Sequence, residues 1–531
     1  MVKKLFLYGH TVWNMKPSQI YSRVKKKLGL SCTLGICPAP MQKQPFLYQP
    51  AIALDFDPVF LQRFPVDEFI TGKVTFLHEC ESFSWRDKWK FENRSALWNF
   101  NLHYFEFLMS FVNAYKLTND RKYLEAVETS ISAWIDHNPK EAAGDGWASY
   151  TIALRVVYWL DCWIYLGEQM NASFKERMLE SMYEQYSHLA RNLEKDLLAN
   201  HYFEDLKALV LCAVFFQDSK MLHRALTEFK KQCQEQILAD GMHFELSPMY
   251  HKIILESLLR VALALRSYGK QDETVESYIK PMLDVAYTFE EGLERIPLFN
   301  DGGNNVAKSL NSLLKTVKEQ FGLSPEKKEF LPESGYYFFE RNGWRLIVDA
   351  GQPGPRYNPG HAHCDAMSFE LFYAGKPVLV NCGTYAYQSD KRAFFRSTAA
   401  HNTVMVNGRE QSQCWGAFRL GKRSRTKVMD IGTDDITMRM CDQSGSIVER
   451  SILLNDTQLI ISDRSEGQKL RVDVHIGGAY EIDKIQVFSG AQLLKPQVMR
   501  CWYSDDYGRK EEVIDVVCEA DSIVTMICDL T

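Results

Sequence analysis

The chain has 531 residues, of which 46% are hydrophobic, 24% charged and 13% aromatic, and its net charge is −5. This length exceeds what one hydrophobic core supports, so we expect two or three domains of a folded, soluble type. The small net charge excludes a protein that recruits nucleic acid through a global positive field.

The N-terminus and the cysteines bear on the compartment. Residues 1–8 contain two lysines followed by only four apolar residues, which is too short for a secretory signal. No uncharged apolar run approaches the roughly 18 residues that a membrane span needs. The 13 cysteines are scattered without a repeating CxxC pattern, as is typical of a reducing compartment. These features predict a cytoplasmic protein without a membrane span, and the alternative is a periplasmic or secreted protein that uses a non-standard export route.

The first 325 residues divide into two segments. Residues 1–84 are mixed, with a basic helical stretch at 19–28 and a short strand at 73–77. Residues 85–325 carry amphipathic helical patterns with short joints, which indicate antiparallel helices in a bundle or a ring of hairpins. The predicted helices are 101–116, 120–136, 149–167, 172–191, 203–217, 220–237, 249–268 and 271–291.

From residue 326 to residue 531 the hydrophobic period changes to two. The predicted strands are 336–339, 345–349, 368–372, 378–380, 403–406, 447–454, 459–463, 472–476 and 523–528. Many short strands with turn signals, such as Asn407-Gly408, indicate an antiparallel β-sandwich. Helices followed by strands imply two segregated domains, and we expect a functional site in the cleft between them.

The loop at 354–363 is the first candidate site. Glycine and proline fix its path, and His361 and His363 stand two residues apart ahead of the strand at 368–372. On an extended backbone their side chains leave on the same face. This pattern suits a metal or a proton-transfer site. The alternative is one histidine that caps the loop and one that is hydrogen-bonded in the core.

Two helix starts carry further candidates. Asn200 is a favoured N-cap residue, and on a helix the carboxylate of Glu204 could orient the imidazole of His201. Ser247-Pro248 predicts a second helix start with Tyr250 in its first turn. The phenol either belongs to the apolar stripe of that helix or projects into a cleft for proton transfer.

A third group joins the two-histidine loop to Asn381 and His401, which flank neighbouring predicted strands. Two histidines and an oxygen ligand could hold zinc, and the alternative is a hydrogen-bonded polar cluster in the sandwich. Arg155, Arg392 and Arg396 could form an anion clamp, because arginine forks suit carboxylates. Each arginine alone is more often a surface residue.

Several motifs in the same order resemble the heparinase II/III-like polysaccharide lyases, particularly members that accompany bacterial exopolysaccharide or capsule genes. The resemblance covers most of the chain from about residue 85. The matching pieces are 101–105, Ser149-Tyr150 with Arg155, Asn200-His201 with Glu204, 243–251, 299–301, 359–363, 383–385 and 396–403.

The resemblance implies an incomplete α/α toroid followed by an antiparallel β-sandwich, and β-elimination at a 4-linked uronic acid. Asn200 and His201 would neutralise the C5 carboxylate, Tyr250 would be the phenolic acid/base, and His361 the base or second proton carrier. The implied contacts to an acidic polysaccharide are Tyr150, Arg155, Glu204, Glu245 and Arg396.

A structural zinc is also implied, carried by His363, the Asn381 position and His401. Here the chain departs from the family, which usually has aspartate where this sequence has Asn381. An amide is a weaker ligand than a carboxylate.

To act as a base, the phenol of Tyr250 would need a lowered pKa. Tyrosine has an ordinary pKa near 10, so nearby positive charge on His201, His361 or Arg155 is expected to lower it. Two other functions remain open: a glycoside hydrolase that uses Glu204 and Glu245 as paired carboxylates, and a non-catalytic polysaccharide-binding or assembly protein.

Overall fold

The computed structural model describes residues 2–140, 143–478 and 480–531. The helices are α1 (Val2–Asn14), α2 (Pro17–Lys27), α3 (Ile52–Asp55), α4 (Pro58–Leu61), α5 (Val66–Ile70), α6 (Ala96–Tyr104), α7 (Leu108–Thr118), α8 (Arg121–His137), α9 (Ser149–Leu166), α10 (Ala172–Leu189), α11 (Ala199–Phe215), α12 (Ser219–Gln236), α13 (Pro248–Ser267), α14 (Glu273–Glu276), α15 (Ile279–Glu290), α16 (Leu310–Phe321) and α17 (Arg392–Phe395).

The strands follow the helices along most of the chain, as predicted. They are β1 (Lys73–Phe76), β2 (Glu79–Ser82), β3 (Phe330–Leu331), β4 (Tyr336–Arg341), β5 (Trp344–Asp349), β6 (Phe369–Tyr373), β7 (Lys376–Leu379), β8 (Val404–Val406), β9 (Cys414–Trp415), β10 (Arg419–Leu420), β11 (Arg425–Ile431), β12 (Asp435–Cys441), β13 (Ile447–Leu454), β14 (Gln458–Ile476), β15 (Ile485–Ser489), β16 (Gln492–Leu494), β17 (Gln497–Asp506) and β18 (Arg509–Asp529).

The helical half is built around α11. Nearly every side chain of this helix is buried, and it packs against α9, α12 and α13. A helix that is buried on all sides has neighbours on all sides. These neighbours hold α11, and with it the first turn of the helix, in a fixed position. None of the described helices combines the length and apolarity that crossing a membrane requires.

Two predicted helices are divided in the structure. The predicted helix 101–116 breaks at Phe105, whose left-handed backbone (φ 63°) ends α6, and its buried ring stacks on Trp89 with centroids 5.4 Å apart. The predicted helix 271–291 becomes α14 and α15. The helix α16 was not predicted, although Ser309 is a favoured N-cap residue and caps this helix by accepting the N–H of Ser312.

Fourteen of the strands form one hydrogen-bonded sheet, and every strand pair in it is antiparallel. Its organising strand is β14, which pairs with β13, β18, β7 and β8 along 19 residues. The predicted strands 459–463 and 472–476 are the two ends of β14, joined through a register shift between Arg464 and Lys469. The alternating strand β12 was missed, although its buried and exposed residues do alternate.

A shared apolar cluster joins the helical half to the sheet. Its buried members are Met242, Leu246, Val285, Phe289 and Phe299 from the helical half, and Leu331, Tyr336, Phe338, Ile347 and Phe372 from the sheet. The predicted boundary at 325/326 lies between α16 and β3. Because the two halves share this core, the loops at their junction are held at fixed positions.

Gly383 tests how tightly one of these junction loops is packed. It has φ +75°, and a Cβ there would lie 2.0 Å from the carbonyl oxygen of Ser504. Gly408 has a similar φ of +65° but open space around it. We expect Gly383→Ala to lower the free energy of unfolding by about 1–3 kcal/mol more than Gly408→Ala does, since only the first adds a steric clash. Denaturant unfolding of both variants measures this, and equal losses would contradict it.

Candidate functional site

Three chain segments meet at the junction of the two halves. Asn200 lies in the first turn of α11, directly after Leu198 and Ala199, which both have left-handed backbone (φ 62° and 52°). Asn200 is therefore inside the helix and does not cap it. Tyr250 lies in the first turn of α13, where the hydroxyl of Ser247 accepts its N–H at 3.2 Å, so the predicted helix start is confirmed.

The structure brings Asn200, Tyr250 and His361 together. Asn200 Nδ2 donates to His361 Nε2 at 3.2 Å, and the rings of His361 and Tyr250 lie with centroids 3.9 Å apart. The hydroxyl oxygen of Tyr250 is 2.8 Å from that of Tyr387, which is 2.7 Å from that of Tyr507. An amide, an imidazole and a phenol thus share one small region.

The carboxylate of Asp301 lies next to His361 and accepts most of the hydrogen bonds that hold this region together. It is fully buried and accepts hydrogen bonds from His361 Nδ1 (2.9 Å), His363 Nε2 (2.9 Å) and Thr384 Oγ1 (3.2 Å). Arg392 pairs with both of its oxygens. Burial alone would raise the pKa of Asp301, but the Arg392 charge and the two histidine hydrogen bonds hold that pKa well below its usual range. Asp301 is therefore ionised.

An ionised Asp301 fixes the tautomer of His361. A carboxylate can only accept, so His361 Nδ1 carries the proton of the 2.9 Å hydrogen bond. In the neutral ring Nε2 is then unprotonated, and it faces the amide of Asn200 at 3.2 Å. The geometry supplies an oriented base with its lone pair at the site.

Tyr250 does not have the lowered pKa that the sequence analysis expected. Burial raises the pKa of this phenol well above its ordinary value, and the charges of Tyr507 and Asp301 act in the same direction. That expectation is wrong, because burial is the largest effect on the phenol and the carboxylates of Asp301 and Glu245 raise its pKa further. Tyr250 therefore rests as a protonated donor.

His201 is paired with an acid that the sequence analysis did not identify. Its Nδ1 donates to Glu194 Oε2 at 2.6 Å, and its ring packs at a tilt against Tyr150, with centroids 4.4 Å apart. Burial would lower the pKa of His201, but the charge and hydrogen bond of Glu194 raise it overall. The side chain is 35% exposed, so its protonated form would present a positive charge to solvent.

The two glutamates of the proposed acid pair have different surroundings. Glu245 accepts Asn200 Nδ2 with both carboxylate oxygens, at 3.0 and 2.9 Å, and so orients that amide. Glu204 is fully buried, and its oxygens accept from Lys207 and Ser257. It does not orient His201, which is a correction to the sequence analysis.

The predicted anion clamp is not available, because its arginines are committed inside the protein. Arg155 is fully buried over the ring of Trp134, and it donates to Gln185 and to two backbone carbonyls. Arg396 donates to the carbonyls of Ala362, Gly416 and Ala417. Arg155 and Arg396 therefore hold protein segments in place, and both side chains are almost completely buried. Arg392 serves Asp301, as described above.

His363 and His401 form a second pair within the sheet domain. His363 Nδ1 lies 3.1 Å from His401 Nε2. The other nitrogens are both donors, His363 Nε2 to Asp301 and His401 Nδ1 to the carbonyl of Ser397 at 2.8 Å. If both rings are neutral, the lone pairs of His363 Nδ1 and His401 Nε2 therefore point at each other. Burial lowers the pKa of His363 to about 4 and that of His401 well below its usual value. A proton shared between the two nitrogens is therefore unfavourable.

A divalent metal fits this pair. Two nitrogen ligands at ~2.0 Å in tetrahedral zinc are about 3.3 Å apart, close to the observed 3.1 Å. Asp365 offers a carboxylate oxygen within 4.8 Å of a ring nitrogen of each histidine. Asn381, the third predicted ligand, uses its side-chain oxygen to accept the N–H of Asn402 at 3.0 Å. The residues that would hold zinc are therefore His363, His401 and Asp365.

Some residues of the site had no assigned role before the structure was known. Asp301 stood in one of the recognised motifs, next to Asn300 and two glycines, but the local sequence gave no signal of a catalytic partner. Tyr387, Tyr507 and Glu194 all lie in loops, and the two tyrosines are more than a hundred residues from Tyr250 in sequence. Only folding brings them next to Tyr250 and His201.

Two family descriptions match most of the chain. The family description "Heparinase II/III N-terminus" matches residues 61–330, and "Heparinase II/III-like, C-terminal" matches residues 324–520. The chain belongs to the heparinase II/III-like family. The resemblance drawn from the sequence motifs is thereby confirmed.

Curated relatives include a heparin-sulfate lyase of Bacteroides thetaiotaomicron, 21% identical over 431 residues, and one of Pedobacter heparinus, 21% identical over 420 residues. The alignments cover 69% and 72% of this chain. The chain spans only 60% and 62% of the length of these two relatives.

Solved structures are similar over nearly the whole chain. A crystal structure of heparinase III matches with a TM-score of 0.66 at 15% identity, covering 97% of this chain and 92% of that one. Heparan sulfate lyase from Pedobacter heparinus matches with a TM-score of 0.56 at 17% identity, covering 96% and 87%. At such identities the likeness establishes the fold, and it confirms the predicted α/α toroid followed by an antiparallel sheet domain.

The pairing of His201 with Glu194 gives a testable shift. We expect the pKa of His201 to lie above its ordinary value of about 6.5, because the carboxylate stabilises the imidazolium. Glu194→Gln should lower that pKa, whereas Glu184→Gln on the exposed face of α10 should leave it unchanged. Titration of carbon-13-labelled histidine ring signals, with the His201 signal assigned from His201→Gln, measures both. An unshifted His201 in the wild type would contradict the pairing.

Proposed function

We propose that this protein is a polysaccharide lyase that cleaves a chain containing 4-linked uronic acid by β-elimination. The observation that carries the proposal is the contact of an unprotonated His361 nitrogen, a protonated Tyr250 phenol and the Asn200 amide in one region. These three groups match the needs of the reaction, which removes a proton, stabilises a developing charge and protonates a leaving oxygen.

His361 is the base in this proposal. Asp301 holds its Nδ1 proton, so Nε2 can take the C5 proton of the uronic acid. The electrons of the C5–H bond then form an enolate with the adjacent carboxyl group. Asp301 acts only as a positioning residue, because it is fully buried and touches no substrate.

Tyr250 is the acid. As the C4–O4 bond breaks, the electrons of the enolate form the C4–C5 double bond and the leaving oxygen takes a proton from the phenol. The high pKa of Tyr250 keeps that proton available, and the Tyr387–Tyr507 hydroxyls can return one from beyond the site. Ring centroids 3.9 Å apart put base and acid within reach of one sugar unit.

Asn200 and His201 would neutralise the uronate. The C5 proton is acidic enough to remove only when the neighbouring carboxylate is neutralised, and donors preorganised at the developing charge supply that stabilisation. Glu245 fixes the amide of Asn200, and His201 carries a positive charge maintained by Glu194. Tyr150 supports the His201 ring and can contact the sugar face.

The substrate class follows from the family. The curated relatives are named heparin-sulfate lyases, and we propose an acidic, uronate-containing polysaccharide for this chain also. Zinc at His363, His401 and Asp365 would have a structural role. Bound there, the ion would supply a fixed positive charge behind Asp301 that holds the histidine loop in place.

The hydrolase alternative has less support. A hydrolase needs two carboxyl groups that both face the scissile bond, but Glu204 is buried against Lys207 and Ser257. Glu245 alone is near the site.

Tyr250→Phe tests the proposal. We expect kcat for release of unsaturated uronate, followed by ultraviolet absorbance on a panel of uronate polysaccharides, to fall by about 10²–10⁴-fold, because the leaving oxygen loses its proton donor. Tyr385→Phe is the matched control, since its hydroxyl makes no hydrogen bond among the described residues, and it should retain activity.

Other outcomes separate the alternatives. Reducing ends without new ultraviolet absorbance would mean hydrolysis. Binding without cleavage across the panel would favour an assembly or binding protein.

Asp301→Asn tests the orientation of the base. An amide can donate to His361 Nδ1 and so place the ring proton on Nε2, where it blocks proton removal. We expect kcat to fall by about 10²-fold or more while KM changes little. Thr384→Val removes another hydrogen bond from the same carboxylate and leaves the His361 bond intact, so it should keep most of the activity. A fall confined to KM would contradict the positioning role.

A further inference from the structure

A second cluster of metal-binding side chains lies on the sheet, away from the site described above. In the register of the sheet, His475 of β14 pairs directly with Asp515 of β18, and Asp515 pairs with Met499 of β17. Cys501 stands two residues beyond Met499. Because side chains alternate along a strand, His475, Asp515 and Cys501 all point from the same face of three neighbouring strands.

A cysteine from another segment completes the group. Cys382 follows β7, and its backbone is held by two hydrogen bonds: its N–H donates to Ala400 at 2.9 Å, and its carbonyl accepts from Ser504 at 2.8 Å. Its Sγ lies 3.8 Å from Cys501 Sγ. The ligating atoms of Cys382, His475 and Cys501 all lie within 4.8 Å of one another.

We propose that Cys382, His475, Cys501 and Asp515 form a structural zinc site, separate from the His363–His401 pair. Two thiolates that share a tetrahedral zinc at ~2.3 Å are about 3.8 Å apart, which is the separation observed. Thiolate and imidazole ligands are the set that selects zinc.

Asp515 supplies the fourth ligand. Its Oδ1 is buried, has no hydrogen-bond partner among the residues that the structure describes, and lies 3.6 Å from His475 Nε2. A buried carboxylate oxygen without a partner is costly. A metal ion between it and the imidazole removes that cost.

The ring of His475 is already oriented for this role. Its Nδ1 donates to Asn402 Oδ1 at 3.1 Å, and the N–H of residue 475 donates to the same oxygen at 2.8 Å. Asn402 Nδ2 donates to the carbonyl of Phe369, so the amide cannot turn over. This is the outer support that metal-bound histidines have. His475 Nε2 lies 3.1 Å from the carbonyl oxygen of Ala399, a contact that a metal ion bound at Nε2 would replace.

The site is closed, as structural zinc sites are. Cys382 and His475 are fully buried, and four protein ligands leave no open position for a substrate. Thr384 stands two residues after Cys382 and donates to Asp301. The ion would therefore tie the loop that supports Asp301 to three strands of the sheet.

Cobalt substitution of the full-length protein tests the proposal. The reduced protein is stripped with a chelator, loaded with Co²⁺ and examined for the near-ultraviolet thiolate-to-cobalt charge-transfer band. We expect the band in the wild type and in His363→Gln, because a site of nitrogen and oxygen ligands cannot produce it. Cys501→Ser should lose most of the band. Cys441→Ser, which changes a cysteine of similar partial exposure on β12, should keep it.

Zinc content provides the second measurement. Elemental analysis of the protein loaded with Zn²⁺ should show one equivalent fewer in the Cys382→Ser/Cys501→Ser variant than in Cys441→Ser. The absence of a thiolate band in wild-type protein would overturn the proposal without any variant needing to fold. A Cys382–Cys501 disulfide found by mass spectrometry in metal-free protein prepared under reducing conditions would also overturn it. Neither readout depends on lyase activity.

Discussion

The buried carboxylate of Asp301 is the constraint on which the site depends. It lies between the two halves of the protein, accepts from both loop histidines and is neutralised by Arg392. An unpaired charge at this depth would be very costly, and removing one partner of such a buried pair typically costs about 3–5 kcal/mol. The chain therefore has one stable way to arrange this junction, and that arrangement also directs the free nitrogen of His361 outward.

The same carboxylate separates the roles of base and acid. It holds a proton on the inner nitrogen of His361, which leaves the outer nitrogen free. Its negative charge, together with burial, raises the pKa of Tyr250. One anion thus keeps the imidazole able to accept and the neighbouring phenol able to donate.

Charged groups that looked available for a ligand turn out to maintain the architecture. Arg155 lies in the core of the helical half, and Arg396 ties the histidine loop to the segment around Gly416. Glu204 is used in the same way within α11. The side chains of Arg155, Arg396 and Glu204 are buried and their hydrogen bonds go to protein neighbours, whereas the side chain of His201 is 35% exposed.

The sequence determined the order of helices and strands, the helix start at Ser247-Pro248 and the family, because hydrophobic period, capping chemistry and ordered motifs are local properties. It also identified Asn200, His201, Tyr250 and His361 as candidates. It did not reveal the function of Asp301, the pairing of His201 with Glu194 or the register that aligns His475 with Cys501. The contacts of Asp301 and the alignment of His475 with Cys501 join residues tens of positions apart, and Glu194 reaches His201 from a loop that precedes the helix of His201. Burial, together with these partners, then shifts the pKa of Asp301 and His201. Only the tertiary structure brings those groups together and removes them from water.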